Sequence, residues 1–371
     1  MSISTSLVGA AQLIPPGLRK VKIGVVGLNF GRTIIDQILA PVNANYYDLT
    51  ALCDMDETSL QRARPASEVS LYRQLDDMLQ DDNVEAIGLF TGPMDRAELV
   101  RKIIESGRHV ITTKPLEHDA EAMLKILQRA RHLGRVVHCN SPSPLPSQDI
   151  GVIRRWTHEY DLGRPVGAHG DVWVSYREKE DGSWYDDPIR CPAAPIYRLG
   201  IYLINDLVRL WGPVEEVQLM QSRIFTERPT ADNAQMGLFF KNKALATINA
   251  SFCVKDGDHY RYGLSLNFEN GTIYRNTGPA WSALFNVKGH SHLALVKEHK
   301  NQPQIVAKET VADQSGIYQW EYFARKIRGE TDPEELTAEQ TVEGIRVIQL
   351  MSQADTFASS TVLAGMPSSI V

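Results

Sequence analysis

The 371 residues are long for one domain and comfortable for two, and a chain of this size can bury a core without disulfide or metal staples. It carries 39 Lys+Arg against 45 Asp+Glu, a formal net charge of −6, with 43% hydrophobic and 23% charged residues, so nucleic acid and anionic membrane are not expected partners. No apolar run approaches the ~18–20 residues of a bilayer span, and the four scattered cysteines (Cys53, Cys139, Cys191, Cys253) form no C-x-x-C pair, so no metal is expected and buried thiols in a reducing cytoplasm are the better reading.

In chain order, Met1 to Pro16 has a short apolar patch with no basic residue before it, a poor secretory signal. Residues 1–19 read as a flexible tail free to pack on a partner subunit. Residues 20–142 then alternate short β-branched runs with amphipathic stretches. Val21–Val26, Leu49–Cys53, Ala86–Phe90, Val110–Thr112 and Val136–Cys139 are apolar enough for strands covered on both faces. Between them, Ile34, Ile35, Ile38 and Leu39 share one helical face, as do Val100, Ile103 and Ile104, and Ala120, Met123, Leu124, Leu127 and Ala130. Gly107 and Gly134 stand where left-handed C-caps are expected. The alternation predicts a doubly wound parallel sheet of Rossmann type.

Three prolines in Ser141–Ser147 mark a domain crossing, and residues 143–371 follow a different pattern. Ala244, Ala246, Ile248, Ala250 and Phe252 face one way while Thr247, Asn249 and Ser251 face the other. Val172, Val174 and Tyr176 repeat this period of two, as do Tyr262, Leu264, Leu266 and Phe268. A turn at Glu269-Asn270-Gly271 precedes a short strand at Thr272–Tyr274. The expectation is an α/β domain on a largely antiparallel open sheet, one face covered by helices near Gln148–His158, Leu199–Leu210, Ile317–Arg328 and Thr337–Ser359. Thr337 to Gln340 reads as a capping box for the last.

Val26-Gly27-Leu28-Asn29-Phe30-Gly31-Arg32 lies between a predicted strand and a predicted helix, where a dinucleotide pyrophosphate docks on backbone N–H groups and the helix dipole. The spacing is G-x-x-x-G, and Asn29 stands where a glycine is usual; asparagine tolerates left-handed backbone, so the residue still permits a tight turn. Asp54 follows the second strand, placed to accept hydrogen bonds from the adenosine ribose and to repel a 2′-phosphate, which favours NAD over NADP. The alternative for Asp54 is a cap on a helix over Asp56–Arg64.

His109-Val110-Ile111-Thr112-Thr113-Lys114-Pro115-Leu116 resembles the "GKHV…EKP" segment of the glucose–fructose oxidoreductase/inositol dehydrogenase (Gfo/Idh/MocA) family. Leu52-Cys53-Asp54, Thr91-Gly92-Pro93, Leu162 to Val166 and Gly200 to Asn205 extend the likeness in order from Val21 to about Thr356. The resemblance implies an N-terminal Rossmann domain, a C-terminal α/β domain that joins dimers or tetramers through its sheet, and oxidation or reduction of sugars, inositols or their derivatives. It places Thr91 and Pro93 beside the cofactor and Lys114 beside both nicotinamide and substrate hydroxyl. Gly200, Tyr202 and Asn205 stand for the family's G-x-H-x-x-D, as in the glucose–fructose oxidoreductase branch. A lysine cation near Tyr202 would favour phenolate, making Tyr202 the acid/base, Lys114 its orienter, and Asn205 and Asn140 the groups that fix a substrate ring.

Thr113 replaces the family's glutamate before the lysine, and Arg198 replaces an acid. Arg198 is expected either to bind an anionic substrate or to pair with an acid on a neighbouring loop. The leading reading is a cytoplasmic, oligomeric NAD-dependent oxidoreductase of a sugar-like substrate. The alternative is an inactive dinucleotide-bound sensor, motivated by the irregular turn and the missing histidine.

Overall fold

The computed structural model describes residues 19–63, 68–176, 178–255, 261–277, 290–312 and 316–357, with side chains to residue 354. The expected tail, up to residue 18, and the end of the last helix beyond Phe357 lie outside the described residues. Two compact units emerge, one of Met1–Thr91, Ile103–Ile111 and Gln319–Glu330, the other of Gly92–Lys102, Thr112–Tyr318 and Thr331–Val371.

The chain opens with β1 (Val21–Val26), α1 (Leu28–Leu39), β2 (Tyr47–Cys53), α2 (Glu57–Ala63), β3 (Ser70–Tyr72), α3 (Leu75–Met78), β4 (Ala86–Leu89), α4 (Arg96–Glu105), β5 (His109–Thr112), α5 (Ala120–His132) and β6 (Val137–Cys139). The six strands form one sheet in the order β3-β2-β1-β4-β5-β6, with β1 parallel to both β2 and β4. Every residue of β4 and β5 is buried, as strands covered on both faces require. Helix α1 seals one face with Leu28, Ile34, Ile35 and Ile38. Gly107 and Gly134 have φ of 89° and 65°, the left-handed caps their positions predict. Strand order reverses between β1 and β4, and open α/β sheets bind ligands at the carboxyl ends of such a pair.

The second sheet uses α6 (Gln148–Glu159), β7 (Pro165–Trp173), α7 (Ile201–Trp211), β8 (Val214–Ser222), β9 (Asn233–Phe240), β10 (Leu245–Ser251), β11 (Arg261–Phe268), β12 (Gly271–Arg275), β13 (Ser291–His299) and β14 (Gln302–Val311). Its order is β14-β13-β12-β11-β7-β10-β9-β8, antiparallel except where β7 runs parallel to β10. The predicted alternation holds for Ala246, Ile248 and Ala250 of β10 and for Tyr262, Leu264, Leu266 and Phe268 of β11, which are buried in one core with Ile153 and Trp156 of α6 and Leu203 and Leu207 of α7. It fails at Tyr176, which is exposed beyond the end of β7, and at Ser251, which is buried at the end of β10 with its hydroxyl accepting from the Cys253 amide.

Helix α8 (Trp320–Ile327) corrects one expectation. It belongs to the first unit, where Tyr47 packs between Trp320 and Phe323 and its hydroxyl donates to the Trp320 carbonyl at 2.5 Å. Its apolar face matches an aromatic on β2, a partner that periodicity does not name. The predicted last helix is two: α9 (Ala338–Thr341), carrying the expected Thr337–Gln340 capping box, and α10 (Glu343–Phe357). Among the described residues no helix is long and apolar enough to cross a membrane.

Candidate functional site

In the first unit, Gly27 alone separates β1 from α1. It carries the left-handed conformation, with φ 83° and ψ 89°. A Cβ there would lie 2.9 Å from the carbonyl carbon and oxygen of Phe90 and 3.1 Å from the Thr91 nitrogen, so the chain after β1 touches the chain after β4 at the point of strand reversal. Only glycine satisfies both demands. Gly27→Ala is expected to cost at least about 2 kcal/mol from backbone strain and the displaced Phe90 peptide, read as a lower urea midpoint; an unchanged midpoint would refute the close approach.

Asn29 does not use its tolerance of left-handed backbone. Asn29 lies in the first turn of α1 and its side chain is exposed; the tight turn is made one residue after the strand, at Gly27. Gly31 serves packing, since its Cβ would meet Val25 at 3.0 Å. Phe30 and Arg32 are exposed, Phe30 standing edge-on to Phe90 at 5.9 Å. The Leu28 N–H donates to Asp54 Oδ2 at 2.7 Å, and the Asp56 N–H donates to Asp54 Oδ1 at 3.0 Å. Helix α2 is capped instead by Asp56, whose carboxylate accepts from the Thr58 and Ser59 amides. Asp54 therefore braces the start of α1 while each oxygen keeps a lone pair. The Gly27 cradle, the first-turn amides of Asn29 and Phe30, and this carboxylate fit a dinucleotide. Thr91 ends the first unit, and Pro93 is buried in the second.

In the second unit, Lys114 follows β5. Its amide donates to Asn140 Oδ1 at 3.0 Å, and Asn140 Nδ2 donates to the Gly316 carbonyl at 2.9 Å. The ammonium donates to the Arg198 carbonyl and stands over the Tyr202 ring, 4.9 Å from its centroid. Burial first, then the Arg198 charge, pulls Lys114 down to about 8. Tyr202 moves the other way: burial pushes its hydroxyl well above the usual phenol range, with a hydrogen bond to Asn140 acting against it. The expected lysine-stabilised phenolate is thus corrected, because the cation meets the ring face and desolvation outweighs it. Gly316, φ 95°, packs so closely that a Cβ would lie 2.6 Å from Tyr202 Cε1. Sequence reasoning passed over this glycine, whose only signal is its isolation.

Arg198 takes the second of its two predicted fates. Its guanidinium forms a fork with Glu178 at 2.6 and 2.8 Å and stacks on Tyr185, 4.0 Å from the ring centroid, with Phe252 and Tyr176 beside it. Arg228 ties the same Glu178 to Asp181 and Asp186, so one ion network folds the loop after β7. Asn205 is turned inward: Nδ2 donates to Ser141 Oγ at 2.9 Å, and a Cβ on Gly344 would fall 1.9 Å from Oδ1. Among the described residues no group of three His, Cys, Asp or Glu is arranged to hold a metal.

Residues 21–141 match the Gfo/Idh/MocA oxidoreductase family at its NAD-binding Rossmann fold, and residues 151–274 match the C-terminal domain of the same family. The chain belongs to the Gfo/Idh/MocA family. An uncharacterized oxidoreductase of Schizosaccharomyces pombe is 24% identical over 206 residues, 52% of each chain. An inositol 2-dehydrogenase/D-chiro-inositol 3-dehydrogenase of Lactiplantibacillus plantarum is 27% identical over 252 residues, 63% of this chain and 67% of that one. The chain thus spans about half the length of the first of these relatives. The WlbA dehydrogenase of Bordetella pertussis, solved with NADH and UDP-GlcNAcA, shares the Gfo/Idh/MocA fold with a TM-score of 0.68 at 16% identity, over 91% of this chain and 97% of that one.

Proposed function

We propose that the protein is an NAD-dependent oxidoreductase acting on a CH–OH group of a sugar, polyol or sugar-derived substrate. The observation that carries this reading is the half-buried Lys114 amine on the face of Tyr202, its backbone amide tethered by Asn140; burial and the Arg198 charge bring that amine down to about 8. Gly27, Asn29, Phe30, Gly31, Arg32, Asp54, Thr91 and Pro93 would hold the cofactor, and a bound nicotinamide supplies hydride acceptance or donation at its ring. The carboxylate of Asp54 favours a free ribose hydroxyl over a 2′-phosphate, hence NAD over NADP.

The neutral Lys114 amine accepts the substrate hydroxyl proton during oxidation and returns it during reduction. Tyr202, kept protonated by burial, donates a hydrogen bond to the same oxygen. Asn140 acts by holding the lysine's backbone. Arg198 is occupied by Glu178, so a neutral polyhydroxylated substrate suits the site better than a carboxylate. The second sheet exposes Val166, Met220, Leu245, Tyr274 and Ile305, a face suited to joining copies of this chain as a dimer or tetramer. A cytoplasmic setting suits four free thiols.

Saturating NAD is expected to raise the melting temperature more than NADP does, since a ligand at 100 times its Kd adds ~2.7 kcal/mol. On a panel of polyols and sugars, Tyr202→Phe is expected to lower kcat by about tenfold to a hundredfold, the loss of one hydrogen bond to a reacting oxygen. No melting shift with any nicotinamide dinucleotide would overturn the cofactor assignment. A shift with NAD but no turnover across the panel would favour the sensor.

A further inference from the structure

Arg96 opens α4 and is 1% exposed, although it is a cation on the first turn of a helix, where the helix dipole disfavours positive charge. Its Nη1 donates to the Thr113 carbonyl at 2.6 Å and also to the Pro115 carbonyl. Those two carbonyls bracket Lys114. The lacing runs in the opposite sense two residues later, where the Glu117 carboxylate accepts from the Ala97 and His118 amides, each at 2.6 Å. A cation giving to carbonyls and an anion taking amides thus bind the head of α4 to the segment 113–118 from both sides. Both bonds come from Nη1, which lies one atom further out than a lysine nitrogen would and whose two N–H bonds are fixed in the guanidinium plane.

We propose that Arg96 is a positioning residue that clamps the carbonyls of the two residues on either side of Lys114, fixing the direction of its side chain and adding a positive charge to its surroundings. This rests on the reading of Lys114 as the proton-exchanging group. Arg198 and Arg96 oppose a charge on the amine, while Cys191 and Cys139 favour it; Tyr202 lies across its face. Thr113 carries no charge, which leaves the carbonyl beside Lys114 as the group for Arg96 to hold. A solitary arginine at a helix start resembles any solvated charge in the sequence, and its role appears only when the carbonyls 17 and 19 residues later are brought to it.

Two variants test the clamp, Arg96→Met and Arg96→Lys, the second retaining the charge should the first fold poorly. The primary readout is acetylation of Lys114 by acetic anhydride as a function of pH, followed by peptide mass spectrometry. It needs neither substrate nor cofactor, so it answers for Arg96 even if no substrate turns over. In wild type the midpoint is expected near 8. Arg96→Met is expected to move it upward by about half a pH unit or more, and to lower kcat at least about tenfold with a smaller change in KM. Arg96→Lys is expected to restore the midpoint but not the rate, because charge returns on a shorter side chain without the in-plane N–H pair of Nη1. A purely structural arginine would lower the melting temperature while leaving the midpoint and the kcat of the folded fraction in place, and that result overturns the proposal. Loss of wild-type hydride transfer on every substrate, with the midpoint shift present, would count against the functional reading of Lys114 and not against the clamp.

Discussion

Replacing Lys114 by methionine is expected to lower kcat/KM about a thousandfold while leaving the protein folded and more stable at neutral pH. The first half follows from the chemistry: a positioned acid/base is worth ~10²–10⁴ in rate, and methionine offers neither proton nor acceptor. The second half follows from linkage. Burial holds the native lysine at about 8, against an ordinary value of 10.5 in the unfolded chain. Between those values the unfolded state binds more protons, so native stability rises as pH climbs from about 8 to about 10.5 and is reduced below that window. Lys114→Met removes this penalty, and its gain over wild type should be full below about 8 and shrink across the same interval. In the wild type, oxidation should rise with pH to a plateau above about 8, where the amine is neutral, and reduction should fall through the same value. Urea midpoints at several pH values and initial rates in both directions check this together. A variant that retains a tenth of the activity would remove Lys114 from the chemistry.

Much of the architecture was legible because buried parallel strands leave a blunt record. Val21–Val26 is a strand from end to end as its β-branched run predicts, and the period of two in β10 and β11 names most of their buried positions, missing Ser251 and Gly263. Strands β8 and β14 left no such record. Most of their positions are exposed, so neither face needs an apolar row. Strand β3, three residues with none buried, was silent for the same reason. Helix α8 shows a different gap: its apolar face was readable, but an amphipathic pattern does not say which surface it covers.

The site divides the same way. Gly27 and Lys114 stood out because each follows a predicted strand where open sheets bind ligands. Position alone could not settle their surroundings. The motif counts letters and so draws attention to Asn29, whereas the backbone turns at Gly27, where Phe90 comes close. The sign of the Tyr202 shift depended on whether Lys114 would meet the hydroxyl or the ring, which spacing along a helix does not determine. Arg96, Gly316 and Glu178 act through partners distant in sequence and carry no local signature.

Arg275→Ala is expected to destabilise the second unit by about 3–5 kcal/mol, the loss that follows when one partner of a buried ion network is removed. Arg275 on β12 and Asp149 on α6 are fully buried, and Asp206 on α7 nearly so. The guanidinium Nη1 lies 3.0 Å from Asp149 Oδ2 and 2.7 Å from Asp206 Oδ2, and the Tyr262 ring stands 4.5 Å from its central carbon. Tyr262 donates to Asp206 at 2.6 Å, and Ser147 and the Ile150 amide donate to Asp149. Burial already drives Asp149 upward, so without Arg275 two carboxylates would face each other with no cation between them. The network matters to the site because Asp206 lies one turn beyond Tyr202 on α7, and the Tyr202 ring meets Tyr262 edge-on at 6.3 Å. Loss of the cation should therefore also lower kcat at temperatures where the protein remains folded. Arg275 Nε and Nη2 have no acceptor among the described residues, so the network is incompletely satisfied. Removing all three charges together, as Arg275→Met with Asp149→Asn and Asp206→Asn, should accordingly recover most of the stability that Arg275→Ala loses. Urea unfolding of the single and triple variants decides it: a single-variant loss under about 1 kcal/mol, or a triple variant no better than the single, would mean that packing around β12 and not the charge network holds α7 in place.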